Sequence, residues 1–199
     1  MCLNSRLFKC LALAVCWAGA LLPSASAQQP KQYDYRVLAT NKTSTMEKEM
    51  NQAADAGYVF AAVMGGETGF GGNEVVVIMM KDPSPAEVQK RAYKLLATSR
   101  TSTMQKEMQQ LGDEGFDYRG QTVFSSTFGG KEVVVIMERM PGQSTLRYEF
   151  KLLATSRTST MQKELREAGD AGFRLVGMTV AKTSLGGSEL VSIMRKDAE

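Results

Sequence analysis

Residues 94–107 read KLLATSRTSTMQKE, and residues 151–164 repeat the same fourteen letters. A third version, RVLATNKTSTMEKE, occupies residues 36–49. Recurrence at a fixed period is the signature of a repeat architecture. The copies stay in step well beyond these stretches. Gly57, Gly115 and Gly172 align, and so do Glu74, Glu132 and Glu189. The glycine pairs at 71–72, 129–130 and 186–187 align as well.

Each copy predicts the order strand, helix, strand, turn, strand. Residues 93–98 are β-rich and short. Ser102 with Gln105 three residues later is a capping-box pattern, repeated by Ser44/Glu47 and Ser159/Gln162. Met104, Met108 and Leu111 follow at i, i+4 and i+7, one apolar stripe on a helix. Met46, Met50 and Ala53 match them, as do Met161, Leu165 and Ala168. Gly115 then supplies a left-handed residue to end the helix. Residues 116–123 suit a second strand. The run EVVVIM at 132–137, bounded by charge, suits a buried third. The Gly-rich stretch 65–72 reads as a long flexible hairpin.

The expected fold is therefore α+β: three tandem β-α-β-β modules, mainly antiparallel sheets each covered by one helix. The boundaries are 33–82, 92–140 and 148–197, with linkers at 83–91 and 141–147. A unit of about 50 residues buries too little surface to stand comfortably alone. The copies are therefore expected to pack on one another, either through a shared sheet or around a pseudo-threefold axis.

The first 27 residues read as a signal peptide. Arg6 and Lys9 form a positive start, residues 10–22 an apolar core, and Ala25-Ser26-Ala27 a small-x-small cleavage site. Cleavage after Ala27 removes Cys2, Cys10, Cys16 and Trp17, which are all the cysteines and the one tryptophan. With no histidine in the chain, the remainder has no disulfide, thiol nucleophile, imidazole base or Cys/His metal site. Loss of Arg6 and Lys9 leaves 22 basic against 21 acidic residues. That balance gives no footprint for nucleic acid or an anionic membrane. No later segment is long and apolar enough for a membrane span.

The residues 113–116 (Asp-Glu-Gly-Phe) and 131–139 (KEVVVIMER), with their counterparts, resemble the bacterial domain-of-unknown-function family numbered 4177. The likeness covers three copies across residues 33–197. It implies the fold and no active site, and this chain has Gly-Tyr or Gly-Phe where that family usually has Gly-Trp.

Three features could carry function. Before each helix lies a cation with hydroxyls: Lys42-Thr43-Ser44, Arg100-Thr101-Ser102 and Arg157-Thr158-Ser159. Beside helix N-terminal amides, that combination suits a small anion; ordinary capping explains the same residues. Recurring methionines such as Met79, Met137 and Met194 could hold Cu(I), but their places on the core stripe favour packing. The carboxylates Glu107 and Asp113 stand six residues apart and share no helix face, so solvated charge is their default. Nucleophile-elbow and phosphate-loop patterns are missing. The expectation is an exported, non-enzymatic binding or interaction protein without cofactor, periplasmic or secreted. Its partner would be a protein, an envelope polymer or a small anion. A structural or assembly role in the cell envelope is the alternative, with an unrecognised enzyme behind it.

Overall fold

The computed structural model describes residues 31–68, 72–83, 90–125, 131–142, 145–182 and 187–198. Residues 1–30, expected to include a signal peptide, lie outside the described residues, as do residues 84–89 of the first expected linker and 143–144 of the second.

Three copies of one topology follow each other. The first contains β1 (Asp34–Thr40), α1 (Thr43–Asp55), β2 (Val59–Thr68) and β3 (Gly72–Lys81). The second contains β4 (Ala92–Thr98), α2 (Thr101–Asp113), β5 (Asp117–Ser125) and β6 (Lys131–Arg139). The third contains β7 (Tyr148–Thr155), α3 (Thr158–Asp170), β8 (Arg174–Lys182) and β9 (Ser188–Asp197). Every module has its own three-stranded antiparallel sheet, with the last strand in the centre: β1-β3-β2, β4-β6-β5 and β7-β9-β8. The modules therefore do not share a sheet, which removes one of the two packings left open by the sequence.

The helices stop as expected. Gly57, Gly115 and Gly172 take φ of 89°, 86° and 85°. In α2 the Phe116 amide returns to the Leu111 carbonyl and the Gly115 amide to Gly112, a Schellman closure. The helices start earlier than the capping-box pattern suggests. The N-cap residues are Lys42, Arg100 and Arg157, with no side-chain cap. Ser44, Ser102 and Ser159 lie inside the first turn. The physical reason is a turn set one step upstream. Thr98 Oγ1 accepts the Arg100 amide at 3.1 Å, which presents the Arg100 carbonyl to the Met104 amide. Gln105 is then more than a turn into the helix, too far to close a box.

The hairpin expected at residues 65–72 is present, with paired strands that reach Thr68 and Gly72. Gly65 and Gly66 sit in β2, paired with Val75 and Glu74. Only residues 69–71 lie outside the described part.

Each sheet has a front face under its own helix and a back face. Val75, Val77 and Met79 face front, packed under Met46, Met50 and Ala53. The same core contains Tyr93, Val134 and Ile136 from the back face of the second sheet. The second core repeats the plan. Met104, Met108, Val133, Val135 and Met137 meet Tyr148, Phe150, Val191 and Ile193 from the back of the third sheet. One module's front is thus closed by the next module's back. This is why β6 is buried on both faces, whereas β3 alternates. The methionines fill these cores, as the stripe predicts: Met46, Met50, Met79, Met108 and Met137 are fully buried.

Candidate functional site

The loops singled out in the sequence lie one per module at the helix N-termini. Lys42, Arg100 and Arg157 are exposed, as are Ser44, Ser102 and Ser159. Their backbones are held by Thr40, Thr98 and Thr155, whose hydroxyls accept the N-cap amides. Ser102 also lines an open depression of about 470 Å³ with Thr103, Lys106, Glu107 and Gln110, all on the solvent side of α2.

The more specific chemistry lies on the other flank of the helices. An edge strand presents a row of unpaired backbone groups, and α1 covers that row on β4. Asn51 Nδ2 donates to the Tyr93 carbonyl, and Asn51 Oδ1 accepts the Tyr93 amide, both at 3.0 Å. Glu47 Oε2 accepts the Leu95 amide at 3.0 Å, while its other oxygen pairs with Lys94. On β7 the same work is done by α2. Gln109 bridges the Tyr148 carbonyl (3.2 Å) and the Phe150 amide (3.0 Å). Gln105 bridges the Phe150 carbonyl (2.7 Å) and the Leu152 amide (2.6 Å). A side-chain amide presents a donor beside an acceptor, so Asn51 matches both groups of Tyr93, while each Gln spans the carbonyl of one residue and the amide two residues on. Glu47 and Gln105 are the residues that the capping-box reading assigned to their own helix. They instead hold the next module's edge.

Other polar groups serve the same joints. The Tyr93 hydroxyl accepts the Phe60 amide across the first joint at 2.9 Å, and burial pushes its ionisation upward. Burial likewise raises the Tyr118 hydroxyl to about 12. Arg195 spans the second joint to Asp117 at 3.0 Å and stacks 4.2 Å over the Tyr148 ring. Glu138 is buried between Arg91 (2.5 Å) and Arg119 (3.1 Å). Burial at the joints thus accounts for the shifts of Tyr93 and Tyr118. Among the described residues, no group of three or more Asp, Glu, His or Cys is placed to hold a metal, and no helix is long and apolar enough to cross a membrane.

Close approach at the joints depends on glycine. A Cβ on Gly120, on the back of the second sheet, would sit 3.0 Å from the Phe60 ring and 3.3 Å from Val63. One on Gly177 would sit 2.7 Å from Tyr118 Cζ. One on Gly112, in α2, would run into the Tyr148 carbonyl.

Both surfaces of the joint recur at the two ends of the chain without a partner module. α3 presents Gln162 and Arg166, exposed, where α2 has Gln105 and Gln109. Leu175, Met178 and Val180 on the front of the third sheet are exposed, Met178 to 61%. At the other end, Tyr35 is 59% exposed, whereas its equivalents Tyr93 and Phe150 are 1% and 4% exposed. Tyr33, Val37, Met64 and Ile78 accompany it on the back of the first module. Of the large exposed hydrophobics among the described residues, only Leu146 lies away from these two ends. Sequence reading missed both surfaces because Tyr35 and Gln162 look like their buried or engaged counterparts. The signal that could have found them is arithmetic: three copies make two joints and leave one unmatched half at each end.

Comparison with known protein families, with curated proteins and with solved structures returns no match to this chain.

Proposed function

We propose that this chain is an exported, non-enzymatic interaction protein whose three repeats act by gripping the exposed edge of an extended polypeptide strand. The observation that carries the reading is the pair of joints in which α1 and α2 hold the backbone of β4 and β7 through side-chain amides and a carboxylate. Such contacts read backbone and impose little sequence requirement; the flanking apolar residues add selectivity. α3 offers Gln162 at the place of Gln105, and Arg166 at that of Gln109, to a strand from outside. The signal-like segment at residues 1–27 supports export to the periplasm or beyond. The resemblance to the family numbered 4177 fits the module and adds no chemistry.

The test is capture from envelope extract by mature protein (residues 28–199) and by its Gln162→Ala/Met178→Lys double variant. A polypeptide partner held by wild type and lost by the variant is the expected result. Equal capture by both proteins refutes gripping at α3. Within the chain, Gln105→Ala should cost about 1 kcal/mol of stability by freeing two backbone groups of β7, measured by urea unfolding.

A further inference from the structure

We propose that the strand taken up by α3 is β1 of a second copy of this chain, so that chains join head to tail. This rests on the strand-gripping reading above and names its partner.

Such a contact continues the interfaces already built inside the chain. The joint between modules one and two, and that between two and three, pair the same two surfaces: a helix with its sheet front, and the next module's edge strand with its sheet back. The third module carries the first surface and the first module carries the second. Each is exposed among the described residues. A surface that matches its counterpart on another copy makes a heterologous contact, which repeats into a ring or an open filament.

α3 also has space for a strand. Gly169 is the counterpart of Gly112, where the strand β7 lies against the helix. A Cβ on Gly169 would meet nothing within 4 Å. The place where a strand would lie is therefore open, and Leu175, Met178 and Val180 on the sheet front of the same module are exposed.

The two ends also carry a matched change in side-chain size. The glycines that allow close approach, Gly120 and Gly177, correspond to Ala62 in the first module. An added methyl there would collide with a ring such as Phe60 or Tyr118. The third module carries Leu175 at that ring position, which removes the aromatic bulk and leaves room for the Ala62 methyl. The two departures from the repeat fall on opposite ends of the chain and offset each other only if the ends meet.

The polar contacts follow with one alteration. Gln162 can donate to the Tyr35 carbonyl and accept the Val37 amide, as Gln105 does for Phe150 and Leu152. The Tyr35 hydroxyl can accept the Leu175 amide, as that of Tyr93 accepts Phe60. Arg166 replaces Gln109 and has donors only, so it can serve the Tyr33 carbonyl but not the Tyr35 amide. The helix would then supply three bonds to the strand backbone, one fewer than α2 gives β7 and as many as α1 gives β4.

The experiment uses the mature chain (residues 28–199) in sedimentation velocity over a range of concentrations, with a head variant, Val37→Lys, and a tail variant, Met178→Lys. Both positions are exposed in the single chain, and far-ultraviolet circular dichroism with a melting curve verifies folding; Tyr35→Lys and Leu175→Lys are the second choices. Wild type should form species larger than a dimer as concentration rises. Each variant alone should associate about tenfold or more weakly. A mixture of the two should form a one-to-one dimer and nothing larger, because each partner retains one working end. A wild type that stays monomeric at every concentration overturns the proposal. So does a variant that associates as wild type does, or a mixture that forms no dimer. If the wild type is monomeric yet its tail variant loses an envelope partner, strand gripping stands and self-assembly falls. If the tail variant loses neither, both fall.

Discussion

The second and third modules have nearly the same sequence over their first strand and helix, yet they end in different states. α2 buries Met104, Met108, Leu111 and Gly112, whereas α3 buries only Met161 and Ala168. The core behind α2 joins residues of two modules; that behind α3 has four buried residues, all its own. One of its central positions is Ser192, where the other modules have Val77 and Val135, and its hydroxyl donates to Met161 Sδ at 3.3 Å. The lesson is that the β-α-β-β unit is half a core. The same helix is well packed or poorly packed according to whether another sheet back arrives to close it.

That comparison can be broken most forcefully at the central strands. Ile136 is fully buried in the first joint, and Ile78, at the same place in the first module, is 36% exposed. Ile136→Ala should destabilise by about 3 kcal/mol, and Ile78→Ala by less than about 1 kcal/mol in dilute protein. Chemical denaturation gives both values, and equal costs would mean that the first sheet's back is covered after all.

The glycine pair should give effects of opposite sign. In α2, Gly112→Ala places a methyl against the Tyr148 carbonyl and 3.0 Å from the Phe150 ring, and should cost about 1–2 kcal/mol. In α3, Gly169→Ala meets open space and should stabilise the helix by about 0.5 kcal/mol. Under conditions that favour association, Gly169→Ala should lose part of that gain. Two melting curves suffice, and a shared sign would remove the contrast between the helices.

The smallest expected effect concerns pH at the second joint. Burial raises the Asp117 carboxyl above its ordinary value of 3.8, outweighing the opposite influence of Arg195. The folded chain therefore keeps this proton to a higher pH than the unfolded chain. Its contribution favours the fold below 3.8 and is lost as pH rises through the raised value. Asp117→Asn removes that slope. The melting temperature of the variant relative to wild type should rise by about 2 °C between about pH 3 and about pH 7. A relative value that falls over that interval would mean that the ion pair with Arg195 dominates.

Much of the fold was legible in the residues themselves. The order of elements, the helix stripe of Met104, Met108 and Leu111, and the glycine that ends each helix are local properties, and repetition stated them three times. The helix start was misread for a local reason too. Thr98 competes with Ser102 to organise the first turn, and a Ser-x-x-Gln pattern does not reveal which one prevails. The edge clamp is illegible for the same reason, because a Ser-x-x-Gln pattern gives Gln105 a partner in its own helix.

The sequence by itself determined the module: periodicity sets which residues line each front face, and a duplicated segment must fold in a duplicated way. Only the tertiary structure decided what lies over each face, because Gln105 and Gln162, or Tyr93 and Tyr35, are chemically alike before packing. Their different fates follow from position in the chain. A strand edge or a helix flank is satisfied from a neighbouring module, and the first and last modules each have one neighbour where the middle one has two.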